Sequence, residues 1–414
     1  MKRVIRVINA PWLIAMVLLS AAGVVGVLGA VSLLPSSVLA SAEPPSDGKT
    51  SYTMSADTWT MEPPIPSMGG EAGSAKFERY ESMPTGTMTL NEGVAASKIA
   101  RFSTGSIDFD IKPIGYDDAG VVFHRQGSED GEFVYLRANP DCPAANDCIQ
   151  YAPITHTMMG WNIYSNYQGP APISVTGWNH VHIEVIRDGM RVYVNHAAEP
   201  SLVVPRLWGL RHDGGIAFKG PAIYANLVVD PHASAGLSVI PHARVQAGTI
   251  MAWRAAPPSA YDRSRTVSAK DAPVGDVWRP IEVEPTGLVN LGRAFGLARA
   301  PSPSLGWLKT EVTASAPMRR TLEVGFAEEV WVFLNGQLVY SGRNQYFPSE
   351  TRLSPDGRLE PDNASIPLTL RAGRNEIILA VGNDWRSHKG PLEPSHYGWA
   401  AEARFREMAG LDLH

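Results

Sequence analysis

The run WNHVHIEVIRDGMRVYVN, residues 178–195, decides the fold. Its Asp188-Gly189 pair stands between two runs that alternate apolar and polar residues. Asp-Gly favours a tight turn in which both residues take positive φ. A turn there pairs Arg187 with Met190, Ile186 with Arg191, Val185 with Val192, Glu184 with Tyr193 and Ile183 with Val194. One face then carries Val181, Ile183, Val185, Val192 and Val194. The other carries His182, Glu184, Arg191, Tyr193 and Asn195. Because side chains alternate along a strand, a one-residue slip would mix the faces, so the pattern predicts a half-buried antiparallel hairpin.

A second hairpin is predicted at 330–340, VWVFLNGQLVY, turning at Asn335-Gly336 with Phe333 opposite Leu338 and Val332 opposite Val339. Both of its faces are apolar, as expected of strands buried inside a sandwich. Two such hairpins so far apart predict an all-β chain of two β-sandwich (jelly-roll) domains. Short alternating runs punctuated by turn residues fill 75–231, among them SIDFDIKP, AGVVFHRQ, EFVYLRAN, GGIAFKG and AIYANLVV. A further set fills 248–407, including WLKTEVTA, RRTLEVGFA, NEIILAVGND and WAAEARF. Regularly spaced short strands of this kind indicate sandwiches. TIMAWRA, 249–255, reads as the first strand of the second domain, followed by a long loop. Residues 232–247 read as a linker, and the Pro-, Gly- and Ser-rich 43–74 as a mobile one.

The first 42 residues read as a targeting segment. Lys2, Arg3 and Arg6 precede an uncharged apolar stretch, 12–34, and a small-residue Ala40-Ser41-Ala42 cleavage site. The apolar stretch exceeds the ~7–15 residues of a signal-peptide core and approaches the ~20 that span a bilayer. It is therefore read as an apolar helix, either a signal peptide or a membrane tether. Both alternatives place the rest of the chain outside the cytoplasm. The charged fraction, 19%, is low for a cytosolic protein. A net charge of −5 without a basic patch argues against a nucleic-acid partner. The two cysteines, Cys142 and Cys148, sit in a Pro-, Asn- and Asp-rich loop with no zinc-type spacing, and read as a disulfide.

The segments GSIDFDIKP, EFVYLRANP, GWNHVHIEVIRDGMRVYVN and GGIAFKGPAIYANLVV together resemble a concanavalin A/laminin G-type jelly roll. Within that superfamily they are similar to the bacterial domains described as 3-keto-disaccharide hydrolase-like. The run VWVFLNGQLVYSG, followed by IPLTLRAGRNEIILAVGND, resembles the galactose-binding-like sandwich. These are fold markers. The first family's catalytic residues match no motif here, so none is carried over.

No HExxH, GxSxG or P-loop is present, and no cofactor is expected. Asp108 and Asp110, two apart on one strand face, are the weak candidates for a glycosidase pair; with no third acid following, a solvated strand face is the plainer account. His180 and His182 alternate on another strand, with Asn195 expected opposite His182. Asp117-Asp118 is a candidate turn for calcium. The best ligand-binding candidates are Arg125, Tyr135, Arg137, Gln150, Tyr151, Trp161 and Tyr164, a polar-aromatic set of the kind that recognises sugars. The alternative is that these aromatics pack beneath a long loop. Residues Asn344-Gln345-Tyr346, 383–388 and 396–399 are lesser candidates in the second domain. Three functions follow: a secreted or envelope-tethered carbohydrate-binding protein without a catalytic centre, an envelope structural or protein-interaction module, and a glycoside hydrolase of the 3-keto-disaccharide type.

Overall fold

The predicted hairpin forms, with its turn one residue earlier than expected. Strands Asn179–Ile186 and Gly189–Val194 pair with Ile186 opposite Gly189, Ile183 opposite Val192 and His182 opposite Tyr193. The loop residues are therefore Arg187 and Asp188, and Arg187 carries the positive φ, 58°. Relative to the expected pairing the partner strand slips by two residues. An even slip preserves parity, so the apolar face still points inward while every cross-strand pair changes. Gly189 is needed for another reason: a Cβ there would lie 2.9 Å from the Pro205 carbonyl oxygen and 3.0 Å from that of Val204. It is a point of close backbone approach rather than a turn residue.

This computed structural model describes residues 48–62, 73–80, 82–116, 118–242, 244–296, 303–383 and 397–414. The targeting segment, with the apolar stretch 12–34, lies outside the described residues. The strands form four sheets, and all strand-to-strand pairings are antiparallel among the described residues. One sheet of the first sandwich runs Leu202–Val204, Gly189–Val194, Asn179–Ile186, Gly105–Pro113, Ala222–Asp230, Met83–Leu90, Ala75–Tyr80. Its partner runs Met158–Met159, Ile149–Thr155, Asp130–Leu136, Ala119–Gln126, Gly214–Lys219, Val94–Phe102, Trp59–Glu62. Between the sheets, Phe218 stacks on Tyr224 at 4.1 Å, with Trp59 and Phe109 against it.

The stretch read as a mobile linker is partly structural. Thr50–Tyr52 adds to one sheet and Trp59–Glu62 edges the other, because Tyr52, Met54 and Trp59 have an apolar core to enter. Ile149–Thr155 forms an interior strand of the second sheet, although it is not among the strand runs picked out from the sequence. Both faces of that sheet are covered. Val134, Leu136, Ile149 and Tyr151 face the main core. Phe133, Tyr135, Ala152 and Ile154 face a smaller cluster that includes Trp161 and is met by Tyr346 and Tyr397.

The second sandwich pairs a sheet ordered Arg279–Pro280, Arg254–Ala260, Ser304–Ala314, Gly373–Asn383, Glu328–Leu334, Gln337–Asn344 with a smaller one of Val289–Asn290, Ala400–Phe405, Met318–Phe326 and Ala364–Leu370. Its first strand starts at Arg254, later than TIMAWRA suggests, and runs through Pro257-Pro258 with a bulge between Ala256 and Ser259. The bulge accommodates residues that cannot donate to a ladder. The Asn335-Gly336 turn forms with both φ positive, and Phe333 faces Leu338 as expected. A bulge then puts Val332 opposite Tyr340 instead of Val339. Gln337–Asn344 is an edge strand that leaves Leu338 and Val339 exposed, so only its partner is interior.

Candidate functional site

Strand parity sorts the seven expected ligand-binding residues. On Asp130–Leu136 and Ile149–Thr155, Tyr135 and Gln150 share the outer face and lie opposite each other. Arg137 donates to Gln150 Oε1 at 2.9 Å and to the Tyr135 hydroxyl at 3.0 Å. Gln150 Nε2 donates to the Trp161 carbonyl at 2.8 Å, which fixes its oxygen toward the arginine. So Tyr135, Arg137, Gln150 and Trp161 do assemble. Arg358 of the second sandwich joins them, with its guanidinium 5.1 Å from the Trp161 ring centre.

The other three go elsewhere. Tyr151 faces inward and is fully buried. Its hydroxyl donates to Glu132 at 2.6 Å and accepts from the Trp208 backbone at 2.7 Å. Arg125 is buried in an ion pair with Glu62 at the far edge of the sheet. Tyr164 is buried too, donating its hydroxyl proton to Glu284 at 2.6 Å.

Tyr164 leads to a cavity of about 460 Å³ between the two sandwiches. The turn and 3-10 segment Ser165–Tyr167 bring Tyr164, Tyr167 and Gln168 to one wall. The Glu284–Leu288 turn, the strand Ala400–Phe405 and the 359–361 loop supply the rest. On that strand Ala401, Ala403 and Phe405 enter the core, so Glu402 and Arg404 take the opposite face and reach the cavity. Gly325 stands opposite Glu402, and a Cβ there would come 2.9 Å from the Glu402 Cγ. Absence of that Cβ gives the glutamate its room.

Glu402 is 7% exposed and has no hydrogen-bond or ion-pair partner among the described residues. Arg404 does not serve it, because its guanidinium is turned to Glu323 and Gln246. Burial pushes the Glu402 carboxyl up to about 7; Arg404 pulls it back through space and Glu360 adds to the rise. Burial likewise pushes Glu284 up to about 8, against the hydrogen bond from Tyr164. Two carboxyls that stay protonated into the neutral range therefore line one cavity.

The Asp108/Asp110 pair has a different setting. Both face outward on Gly105–Pro113 and are cross-linked to the neighbouring strand by histidines. His180 Nδ1 meets Asp110 at 2.8 Å, and His182 Nδ1 meets Asp108 at 2.6 Å. His180 Nε2 also approaches Asp108 at 3.5 Å. Burial opposes ionisation of Asp108, but hydrogen bonds from His180, His182 and Ser106 outweigh it and hold the carboxyl well below the usual range. Hydrogen bonds donated to Asp108 and Asp110 raise His180 to about 9. These aspartates are ionised and spent on a ladder of ion pairs. Asn195 bonds the His180 backbone rather than facing His182. Asp118 pairs with Lys219 at 3.5 Å, and Asp117 lies outside the described residues. No group of three or more His, Cys, Asp or Glu among the described residues is arranged to hold a metal ion. Cys142 and Cys148 form a disulfide, and the Cys148 carbonyl accepts from the Arg137 backbone N–H at 3.0 Å. The loop thus braces the arginine.

In the second sandwich, Asn344 is buried and bonds the carbonyls of Phe326 and Arg358. Trp399 is core. Residues 384–396 lie outside those described. Sequence reading did not single out Glu284, Glu402, Gln168 or Arg358. Of these, only Glu402 left a signal, as a charge interrupting the small apolar residues of WAAEARF.

No family model and no curated protein matches the chain. Among solved structures it is similar to the carbohydrate-binding module CBM66 from Bacillus subtilis, at 12% identity and TM-score 0.26, over 42% of this chain and 91% of that one. It is similar to domain 4 of AbnA, a GH43 extracellular arabinanase from Geobacillus stearothermophilus solved with arabinotriose, at 12% identity and TM-score 0.27, over 44% and 82% of the two chains. A Bacillus subtilis protein of unknown function with a galectin-like fold is similar at 13% identity and TM-score 0.28, over 42% and 89%.

Proposed function

We propose that this is an extracytoplasmic carbohydrate-binding protein that takes a saccharide into the cavity between its sandwiches. The observation that carries the reading is Glu402, a buried carboxyl with no hydrogen-bond or ion-pair partner among the described residues, opening on a space of about 460 Å³. A buried polar group is normally hydrogen-bonded, so one left open on a cavity calls for a ligand with donors. Saccharide hydroxyls fit. Gln168 and Asn166 add donors and acceptors around them, and Tyr167 adds an aromatic wall. The volume lies within the ~300–1,000 Å³ of small-ligand sites. The disulfide agrees with an oxidising compartment, where the apolar stretch 12–34 would direct or tether the chain.

A second reading, a glycoside hydrolase, is favoured by the pairing of Glu284 and Glu402 in one cavity with raised pKa values. Glu284 would then be the general acid and Glu402 the second carboxyl.

The test is calorimetric titration of the full chain with a panel of neutral and acidic oligosaccharides, each mixture also assayed for new reducing ends. Binding without release, weakened about tenfold or more in Glu402→Gln, is the expected result. Release lost in both Glu402→Gln and Glu284→Gln would establish the hydrolase instead. No binding across the panel, or binding indifferent to Glu402→Gln and Tyr167→Ala, would overturn the cavity reading.

A further inference from the structure

Beside the cavity, two arginines converge on one neutral oxygen. Arg137 and Arg358, one from each sandwich, both donate to Gln150 Oε1, at 2.9 Å and 3.4 Å. The same Nη1 of Arg358 also donates to Gln168 Oε1, and Gln168 lines the cavity. Among the described residues neither arginine has a carboxylate within ion-pair distance; Asp118, Asp147 and Asp356 act on them only from further away.

Arg358 is 5% exposed, yet its Nε and Nη2 have no protein partner among the described residues. Nor are these two nitrogens sealed from solvent, unlike the unpartnered Nε of Arg125. Nε and Nη2 form the edge of a guanidinium that matches a planar carboxylate with two parallel hydrogen bonds. The rest of the group is already held. Nη1 is tied to two glutamines, the plane lies near Trp161, and the Arg358 carbonyl accepts from Asn344. The fork is thus pre-oriented, and its missing partner is an anion.

We infer that Arg358, with Arg137 behind it, forms an anion-binding subsite adjoining the cavity, and that it selects saccharides bearing a carboxylate, such as uronic acid units. The subsite rests on the reading of the cavity as a saccharide site.

The test compares a galacturonate trimer with its carboxyl-reduced counterpart and with a 6-sulfated galactan trimer, titrated into the full chain. The galacturonate trimer is expected to bind about tenfold more tightly than the reduced one. That preference should shrink as salt is raised from roughly 50 mM to 0.5 M. In Arg358→Lys, which keeps the charge but not the fork, and in Arg137→Gln, the ratio should fall to about one. Tighter binding of the sulfated trimer would keep the anion subsite and assign it to a sulfate ester. Equal binding of the uronate and reduced trimers, or a preference that survives Arg358→Lys, would overturn the subsite. If the reduced trimer still binds in a Glu402-dependent way, the cavity reading stands alone. If no trimer binds, both fall. A structural role for Arg358 would instead lower the melting temperature of Arg358→Lys and weaken all ligands alike.

Discussion

At Glu402 the energetic tension of the site is concentrated in one side chain. Its carboxyl has no hydrogen-bond partner among the described residues, loses hydration, and is pushed up to about 7 against the pull of Arg404. As the proposed acceptor for sugar hydroxyls it should work best ionised, because hydrogen bonds to a charged acceptor are the stronger ones. Saccharide affinity should therefore rise about tenfold between pH 6 and 8, and titrations of Glu402→Gln should show no such rise. Affinity that falls over this range would mean that the protonated form donates to the ligand. Stability of the free chain should move the opposite way. Glu402, Glu284 and Glu132 each hold their proton more tightly folded than unfolded. Their contribution is thus fully present below about 4.5 and is lost as pH climbs through about 7 to 8. Added ligand should narrow that loss.

At the scale of the element, the 178–195 hairpin shows what periodicity can and cannot carry. Alternation settles which residues face the core, and that part of the fold was legible. It is blind to an even slip, so the pairing and the turn were decided by the close approach of Val204 and Pro205 to Gly189 instead of by Asp-Gly turn preference. This gives a paired prediction. Gly189→Ala should destabilise by about 1–3 kcal/mol, since backbone must move to admit the methyl group. Arg187→Asn, at the exposed residue that holds the positive φ, should be neutral or stabilise by up to about 1 kcal/mol. Urea denaturation measures both, and the reverse order would contradict this turn. The same parity explains the candidate site. Tyr135, Arg137, Gln150 and Trp161 were recoverable as polar and aromatic residues of one segment, but Tyr151 was indistinguishable from its neighbour Gln150 until the strand had two buried faces. Glu284 and Arg358 stayed hidden because they become neighbours of that segment only through the second sandwich, and no local spacing records such a contact.

Across the whole molecule, the two sandwiches behave as one packed body. A single apolar cluster runs from Tyr52 to Phe405. Its seam is pinned by Asn162, whose side chain accepts from the Gly398 N–H at 2.7 Å and donates to the Gly398 carbonyl at 3.3 Å. The Asn162 carbonyl accepts from Leu359 N–H at 2.8 Å, and Ser165 donates to the Leu359 carbonyl at 3.0 Å. Separating the halves would expose these buried backbone groups together with the Tyr164–Glu284 bond. Scanning calorimetry should accordingly show one transition for both sandwiches. Asn162→Ala should lower its midpoint, because it leaves the buried polar groups of Gly398 unpaired at a cost of about 1–3 kcal/mol each. The cavity has a wall from each half, so a saccharide that binds it should raise that single midpoint in proportion to the logarithm of its concentration. Two resolved transitions, with the ligand moving only one of them, would mean that the sandwiches unfold independently and that the ligand sits on one sandwich, away from the seam.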